Sequence, residues 1–312
     1  MFEYHVENGG AVITAADGES EYLIVPKQLD GYPVTAAGER AFYGQKQRKK
    51  IALPDTVTAI GPYAFAVCRQ LQHVTMPKHL TSIGNYAFYN CHALEETALP
   101  PHLNTMGYGA YKNCSALKLV RVYADEGQKI AVSALIDDLS NEVALDMYDA
   151  SGKLLTKLVF TEYEYDCIIQ VEARQFDWVY HGSGNIYREC ISDSGVDYHK
   201  YDGAFHNAVR EDWPKTAMRI ALGRVLYPYR LSEEYKKVYT DYLIKNKEAV
   251  YEMLLKERQL SELEMCAGFL LDGETADRWI RLAREDDAGE FVSFLMDYKL
   301  RHFSGAAKQF DL

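Results

Sequence analysis

The sequence predicts an α+β protein: a repeat solenoid with a 23-residue coil, then a small β-rich region, then an α-helical array. Three observations predict it. Gly38, Gly61, Gly84 and Gly107 stand 23 residues apart, and Ala41, Ala64, Ala87 and Ala110 keep the same interval. Residues 124–197 show strand-like alternation broken by turn residues. Residues 203–303 carry apolar positions at helical spacing, with cap residues between the runs. The division expected is 1–123 for the solenoid with its N-terminal cap, 124–197 for the β-rich region and 198–312 for the helices.

The solenoid comes from gapless alignment. Segments 34–42, 57–65, 80–88 and 103–111 superimpose column by column, as do Leu53-Pro54, Met76-Pro77 and Leu99-Pro100. Val25-Pro26 is an earlier echo displaced by five residues. Leu71-x-x-Val74-x-Met76 alternates as a short strand must to bury one face. Proline ends that strand because it has no N–H for the ladder. A second apolar pair follows, such as Leu80 and Ile83, and glycine then allows a backbone turn. The Ala-Phe pair is expected on a helical turn, with Phe filling the coil's interior. Coils stack at roughly 4.8 Å, and none buries its own face without a neighbour. Tyr111, in the last coil, is therefore expected to be packed on one side only.

The pattern L-x-x-V-x-L-P-x-x-L-x-x-I-G-x-x-A-F-x-x-C resembles the BspA-like (bacterial surface protein A) leucine-rich repeats over about residues 20–123. Two departures stand out: the first repeat has Gln45 in place of Cys, and the last has Tyr111 in place of Phe. The resemblance implies a leucine-rich-repeat solenoid. It also implies the company of bacterial surface and adhesion proteins, although the N-terminus Met1-Phe2-Glu3-Tyr4 shows no basic and apolar export signal.

Cys68, Cys91 and Cys114 share one column. Neighbouring coils bring such Cα atoms into the roughly 4.4–6.8 Å range of a disulfide, while a straight ladder does not converge on a metal. Buried reduced thiols are the expectation. On the outward side of the strands the sequence places Lys49 and Lys50, then Gln72, His73 and Thr75, then Glu95 and Glu96, then Lys118 and Arg121. The sign runs positive, neutral, negative, positive. Such a mosaic suits a protein partner, whereas a nucleic-acid face would be uniformly basic with aromatics for stacking.

Beyond the repeat, 142–148 and 153–160 flank Asp149-Ala-Ser-Gly152 as a hairpin, and 163–173 and 176–181 continue a small antiparallel sheet. Helices are expected over 204–223, 233–245, 247–258, 261–270, 274–284 and 288–302. Ser232 and Asp272 are the expected N-caps. The run Trp279-Ile280-x-Leu282-Ala283 before Phe291-Val292-x-Phe294-Leu295 is similar to ankyrin-like helix pairs, without a 33-residue period.

A polar cluster from His181 to His206 includes Cys190, Asp193, Asp197, His199 and Asp202. His199 and His206 are seven apart, not the i,i+4 spacing that puts two imidazoles on one helix face. The stretch reads as a linker, with Tyr201 and Asp202 docking the first helix. No Gly-x-Ser-x-Gly, His-Glu-x-x-His or phosphate-loop motif occurs, and no cofactor or metal is expected.

Net charge is −11. Residues 1–123 hold 11 Lys+Arg against 10 Asp+Glu, which leaves 23 against 35 of the 34 and 45 for the remainder. That acidity disfavours nucleic acid, which needs basic charge to release counterions. No apolar run reaches the 18 residues of a membrane span. The function expected is a non-enzymatic protein–protein interaction scaffold in the cytoplasm. The rivals are an exported, adhesin-like surface protein and an enzyme or metal protein built on residues 181–206.

Overall fold

The computed structural model describes residues 1–18, 20–124, 131–170, 175–192 and 194–303, and the side chains of these outside 165–180. The chain divides into two compact units, Met1–Trp213 and Pro214–Leu312.

The first unit begins with the hairpin Phe2–Glu7 and Gly10–Ala16, which heads one of two strand rows. One row stacks Tyr32–Ala37, Ala59–Ile60, Ser82–Ile83 and Thr105–Met106 in parallel. The other stacks Tyr22–Ile24, Lys50–Ala52 and His73–Thr75, and continues in Glu96–Leu99 and Leu119–Tyr123. After a first step of 28, Tyr22↔Lys50, register advances by 23, as in Lys50↔His73 and Ala98↔Arg121. Equal register is why identical residues stack: Phe42, Phe65, Phe88 and Tyr111 form one column of parallel rings with centroids 4.9–5.0 Å apart. All four are fully buried.

Two local expectations change. The glycine column is not in the left-handed region. It is where neighbouring coils touch: a Cβ on Gly84 would lie 2.6 Å from the Pro62 nitrogen, and one on Gly38 as close to the Ile13 carbonyl. The left-handed residues stand elsewhere, at Arg40, Tyr63, Tyr86 and Gly109 and again at Gly44, Val67, Asn90 and Asn113. In each coil that first residue redirects the backbone, so the Ala-Phe segment makes a single turn rather than a helix. Phe42, Phe65 and Phe88 then donate their N–H to Ala64, Ala87 and Ala110 of the next coil, at 2.7–2.8 Å.

No Ala-Phe segment follows that of Tyr111, and its N–H donates instead to Asp138 Oδ2 at 3.0 Å, just past the helix Val132–Asp137. Its hydroxyl pairs with Thr97 at 3.0 Å. The one-sided packing expected at the last coil is therefore absent. Cys68, Cys91 and Cys114 are buried, and each thiol donates to the carbonyl of Phe42, Phe65 or Phe88 at 3.0–3.2 Å.

The hairpin forms where the turn residues place it, as Val143–Tyr148 and Leu154–Phe160. It is not a sheet of its own. Val143–Tyr148 runs parallel to Leu119–Tyr123, so the second strand row continues past residue 123 without the repeat motif. Two-residue alternation of Val143 and Leu145 suffices for a coil's strand. The far edge is closed by Tyr201, whose hydroxyl accepts from Val159 N at 2.7 Å and donates to Val159 O at 2.9 Å. Buried Arg188 ties this end together by donating to the carbonyls of Leu139, Thr161, Gly184 and Asn141. Strands Glu164–Gln170 and Gln175–His181 pair antiparallel, and residues 171–174 of the expected strand lie outside the description.

The single helix expected over 204–223 is broken into Phe205–Glu211 and Pro214–Leu226. Pro214 disfavours helix at the residue before it and opens the next helix, where its missing N–H costs nothing. Glu233–Lys245, Lys247–Lys256, Leu260–Leu270, Gly273–Glu285 and Gly289–His302 follow. Ser232 and Asp272 cap as expected, accepting from Tyr235 N and Thr275 N.

Candidate binding groove

Parallel pairing sets the outward residues of the strand face in straight rows. Lys50, His73, Glu96 and Leu119 form one; Ala52, Thr75, Ala98 and Arg121 form the next. Lys49, Gln72, Glu95 and Lys118 stand where each strand begins, their backbones laddered by Gln72 N to Lys49 O, Glu95 N to Gln72 O and Lys118 N to Glu95 O. Five of the nine residues singled out by the sequence, Lys50, His73, Thr75, Glu96 and Arg121, lie in these rows, and the other four stand at the strand starts.

The structure brings four of them together. His73, Thr75, Glu96 and Arg121 line a groove of about 560 Å³. Lys49, Lys50, Gln72, Glu95 and Lys118 lie outside its lining. Lys49 instead pairs with Glu21 at 2.8 Å, and Lys50 sits 5.9 Å from the Tyr22 ring.

At the groove's centre Glu96 accepts from Arg121 at 2.8 Å through Oε2 and meets His73 Nδ1 at 3.2 Å through Oε1. The Arg121 hydrogen bond first, and the charges of Arg121 and His73 with it, hold the Glu96 carboxyl below the usual carboxylate range against the opposing effect of burial. Arg121 is correspondingly raised by Glu96. A carboxylate so held is a poor proton acceptor, and both its oxygens are occupied. The floor is apolar, from Met76, Ala98 and Tyr123, and Tyr123 stacks on Tyr148 at 4.9 Å.

The sequence reading missed two walls. One is the stacked pair His79 and His102, centroids 6.3 Å apart; both belong to one 23-residue column, a signal present in the sequence. The other is the turn Ala150–Gly152. Asp149 rigidifies that turn by accepting from Ser151 N at 2.9 Å, Ser151 Oγ at 2.6 Å and Lys153 N at 3.0 Å. No residue spacing foretold that a hairpin beyond the repeat would join this row of strands.

In the 181–206 stretch Asp197, Cys190 and His206 each have a local structural partner. Asp197 caps the helix Tyr198–Gly203 by accepting from Lys200 N. Cys190 is buried, its thiol pushed up to about 12 by burial first, and donates to Ile186 O. His206 Nδ1 lies 2.7 Å from Gly203 O. Asp193 lies outside the described residues. Among the described residues no three His, Cys, Asp or Glu side chains form a group that could hold a metal ion, and no helix is long and apolar enough to cross a membrane.

Residues 33–136 match the model of the BspA type leucine rich repeat region in six copies, and this part of the chain belongs to that family. Solved structures with a similar segment include a leucine-rich repeat protein of T. pallidum, 28% identical over 38% of this chain and 68% of that one, with a TM-score of 0.35. A second, from Bacteroides capillosus, is 31% identical over 39% of this chain and 91% of that one, with a TM-score of 0.33. The pneumococcal vaccine antigen PcpA is 25% identical over 33% of this chain and 24% of that one, with a TM-score of 0.31. No curated protein matches the chain.

Proposed function

We propose that this protein is a non-enzymatic interaction scaffold whose solenoid strand face engages a protein partner. The observation that carries the reading is the face itself: straight rows of outward residues of mixed charge, Lys50, His73, Glu96 and Arg121 among them, on a rigid stacked backbone. Leucine-rich repeats in general bind proteins, and the family match supports the same use here. The contact surface is presented by Lys49, Lys50, Gln72, His73, Thr75, Glu95, Glu96, Lys118 and Arg121.

Crosslinking in native cells, followed by quantification of what is held by the tagged full chain, tests this. A partner in near-equal amount is expected, lost in Lys50→Glu and kept in Arg69→Glu, which lies exposed off the strand face. A partner that ignores every face variant, or turnover of a small molecule by the purified chain, ends the reading.

The compartment we propose is the cytoplasm. Supporting it, the five described cysteines are all buried and unpaired, which suits a reducing environment. Cell fractionation checks this, and a pool confined to the surface reverses it.

A further inference from the structure

We propose that the groove at His73, Glu96 and Arg121 receives an extended segment of the partner protein carrying a Glu or Asp side chain, whose carboxylate Arg121 binds. This rests on the scaffold reading and says where on the face the partner is held and by what chemistry.

The first argument is the balance of donors and acceptors. Among the described residues the groove's one carboxylate, Glu96, has both oxygens engaged, by Arg121 and by His73. Arg121 spends one N–H on Glu96, and no other hydrogen bond engages it among the described residues. A guanidinium offers five N–H groups in a planar fork suited to carboxylates. Among the described residues the groove therefore has donors to spare and no free acceptor of comparable strength. Lys78 on the rim adds a further cation, only loosely paired with Asp55 at 3.9 Å. Asp146 follows Arg121 in the row but is not part of the lining, and its cross-strand neighbour is Lys157.

The second argument is pre-organisation. Glu96 cancels the charge of Arg121 in the empty groove and also aims it, since the pair is only about one-third exposed on either side. An incoming carboxylate meets a guanidinium already fixed in position, over the apolar floor of Met76, Ala98 and Tyr123, where a charge-assisted hydrogen bond is stronger than in water. Glu96 acts here as a positioning residue.

The third argument is length. The lining passes from the strand of His73 across those of Glu96 and Arg121 to the hairpin turn at Ala150–Gly152. Three steps of roughly 4.8 Å make about 14 Å, which four or five residues of extended chain span. Apolar side chains flanking the acid would rest on the floor and against Pro100 and Pro101.

The experiment uses the full chain and fluorescein-labelled hexapeptides with one central Glu between leucines, alongside the same peptides with Gln. Binding is read by anisotropy, with N-acetylglutamate as competitor. We expect the Glu peptides to bind about tenfold tighter than the Gln peptides. That preference should vanish in Arg121→Gln, with Gln-peptide affinity unchanged. Ala150→Trp, on the exposed turn, should weaken both peptides by crowding the groove without touching its charges. Arg69→Gln, exposed off the strand face, should change neither.

Equal affinity for Glu and Gln peptides, or a preference that survives Arg121→Gln, overturns the proposal. So does displacement by N-acetylglutamate at the peptide's own concentration range, which would make the groove a small-acid pocket. In each of these cases a native partner still lost in Lys50→Glu would leave the scaffold reading standing. Should Arg121→Gln fail to fold, the Ala150→Trp and Arg69→Gln pair decides in its place: unaltered peptide binding in Ala150→Trp places the peptide elsewhere.

Discussion

Phe88 in the solenoid and Trp279 in the helical unit are both fully buried, yet they are supported in different ways. Phe88 lies between near-copies of itself, Phe65 at 5.0 Å and Tyr111 at 4.9 Å. Trp279 has one stacking partner, Tyr251 at 4.2 Å, whose hydroxyl donates to the Trp279 carbonyl, while its own indole N–H reaches Glu248. In the coils one solution is reused every 23 residues; among the helices each contact is particular to its pair. A repeat spreads the damage of a lesion along its column. A helical packing confines it to the helices that meet there.

The largest expected effects test that contrast directly. Phe88→Ala and Trp279→Ala should each cost about 3–5 kcal/mol by cavity formation, read by denaturant titration. Hydrogen exchange should then separate them. Phe88→Ala is expected to speed exchange in the coils of Phe65 and Tyr111, whereas Trp279→Ala leaves the solenoid unchanged. Spread in neither case would break the comparison.

Next comes Gly84→Ala, with a cost of roughly 3 kcal/mol, because the new methyl would press on the Pro62 backbone, which cannot give way without moving its coil. The same change at Gly268, where an added Cβ meets nothing within 4 Å, should instead be neutral or stabilising.

Each unit also holds a carboxylate whose acidity is shifted, in opposite directions. Burial raises the Asp138 carboxyl, opposed by the Tyr111 N–H and Lys112. Hydrogen bonds from Lys247 first, then Thr275, lower Asp272. A raised acid contributes stability below its unfolded pKa of about 3.9, and loses that contribution as pH rises through the folded value. A lowered acid contributes above about 3.9 and loses it as pH falls. Asp138→Ala should cost about 1–3 kcal/mol at neutral pH by stranding the Tyr111 N–H. Asp138→Asn keeps an acceptor without the buried charge, so it should stabilise at neutral pH and lose that gain below about pH 4. Asp272→Ala should cost about 1 kcal/mol as a lost N-cap, a deficit that shrinks on acidification. Thermal melts across pH compare the variants. Parallel pH profiles would contradict the assignment of opposite signs.

The smallest expected effect is a gain. Val67 holds φ +64 in a column otherwise occupied by Gly44, Asn90 and Asn113. A β-branched residue is strained there, and Asn113 Nδ2 already bonds Asn90 Oδ1 at 2.9 Å. Val67→Asn should relieve the strain and extend that amide ladder, for about 1 kcal/mol in midpoint shift.

The coils were legible because periodicity is a property of sequence: Gly38, Gly61, Gly84 and Gly107 announce their stacking before any coordinate is known. Their task was less legible, since closeness to a neighbouring backbone and a left-handed turn both select glycine. The helices from Glu233 onward were readable from Ser232 and Asp272, whose capping is local chemistry. The groove was readable only in part. His73, Thr75, Glu96 and Arg121 follow from strand alternation, but the wall at Ala150–Gly152 arises from a strand that joins the row without the motif, and a long-range pairing leaves no spacing to find.

The Tyr201 phenol, which takes both the N–H and the carbonyl of Val159, has a consequence for how this protein can evolve. Together with Asp138 it closes the stack using residues foreign to the motif, so the interior coils are interchangeable while the termini are not. Whole 23-residue units could be duplicated or deleted between the hairpin at the start and Asp138 without redesigning either terminus, lengthening or shortening the recognition face in steps of one coil. Specificity could thus change by copy number as well as by point substitution.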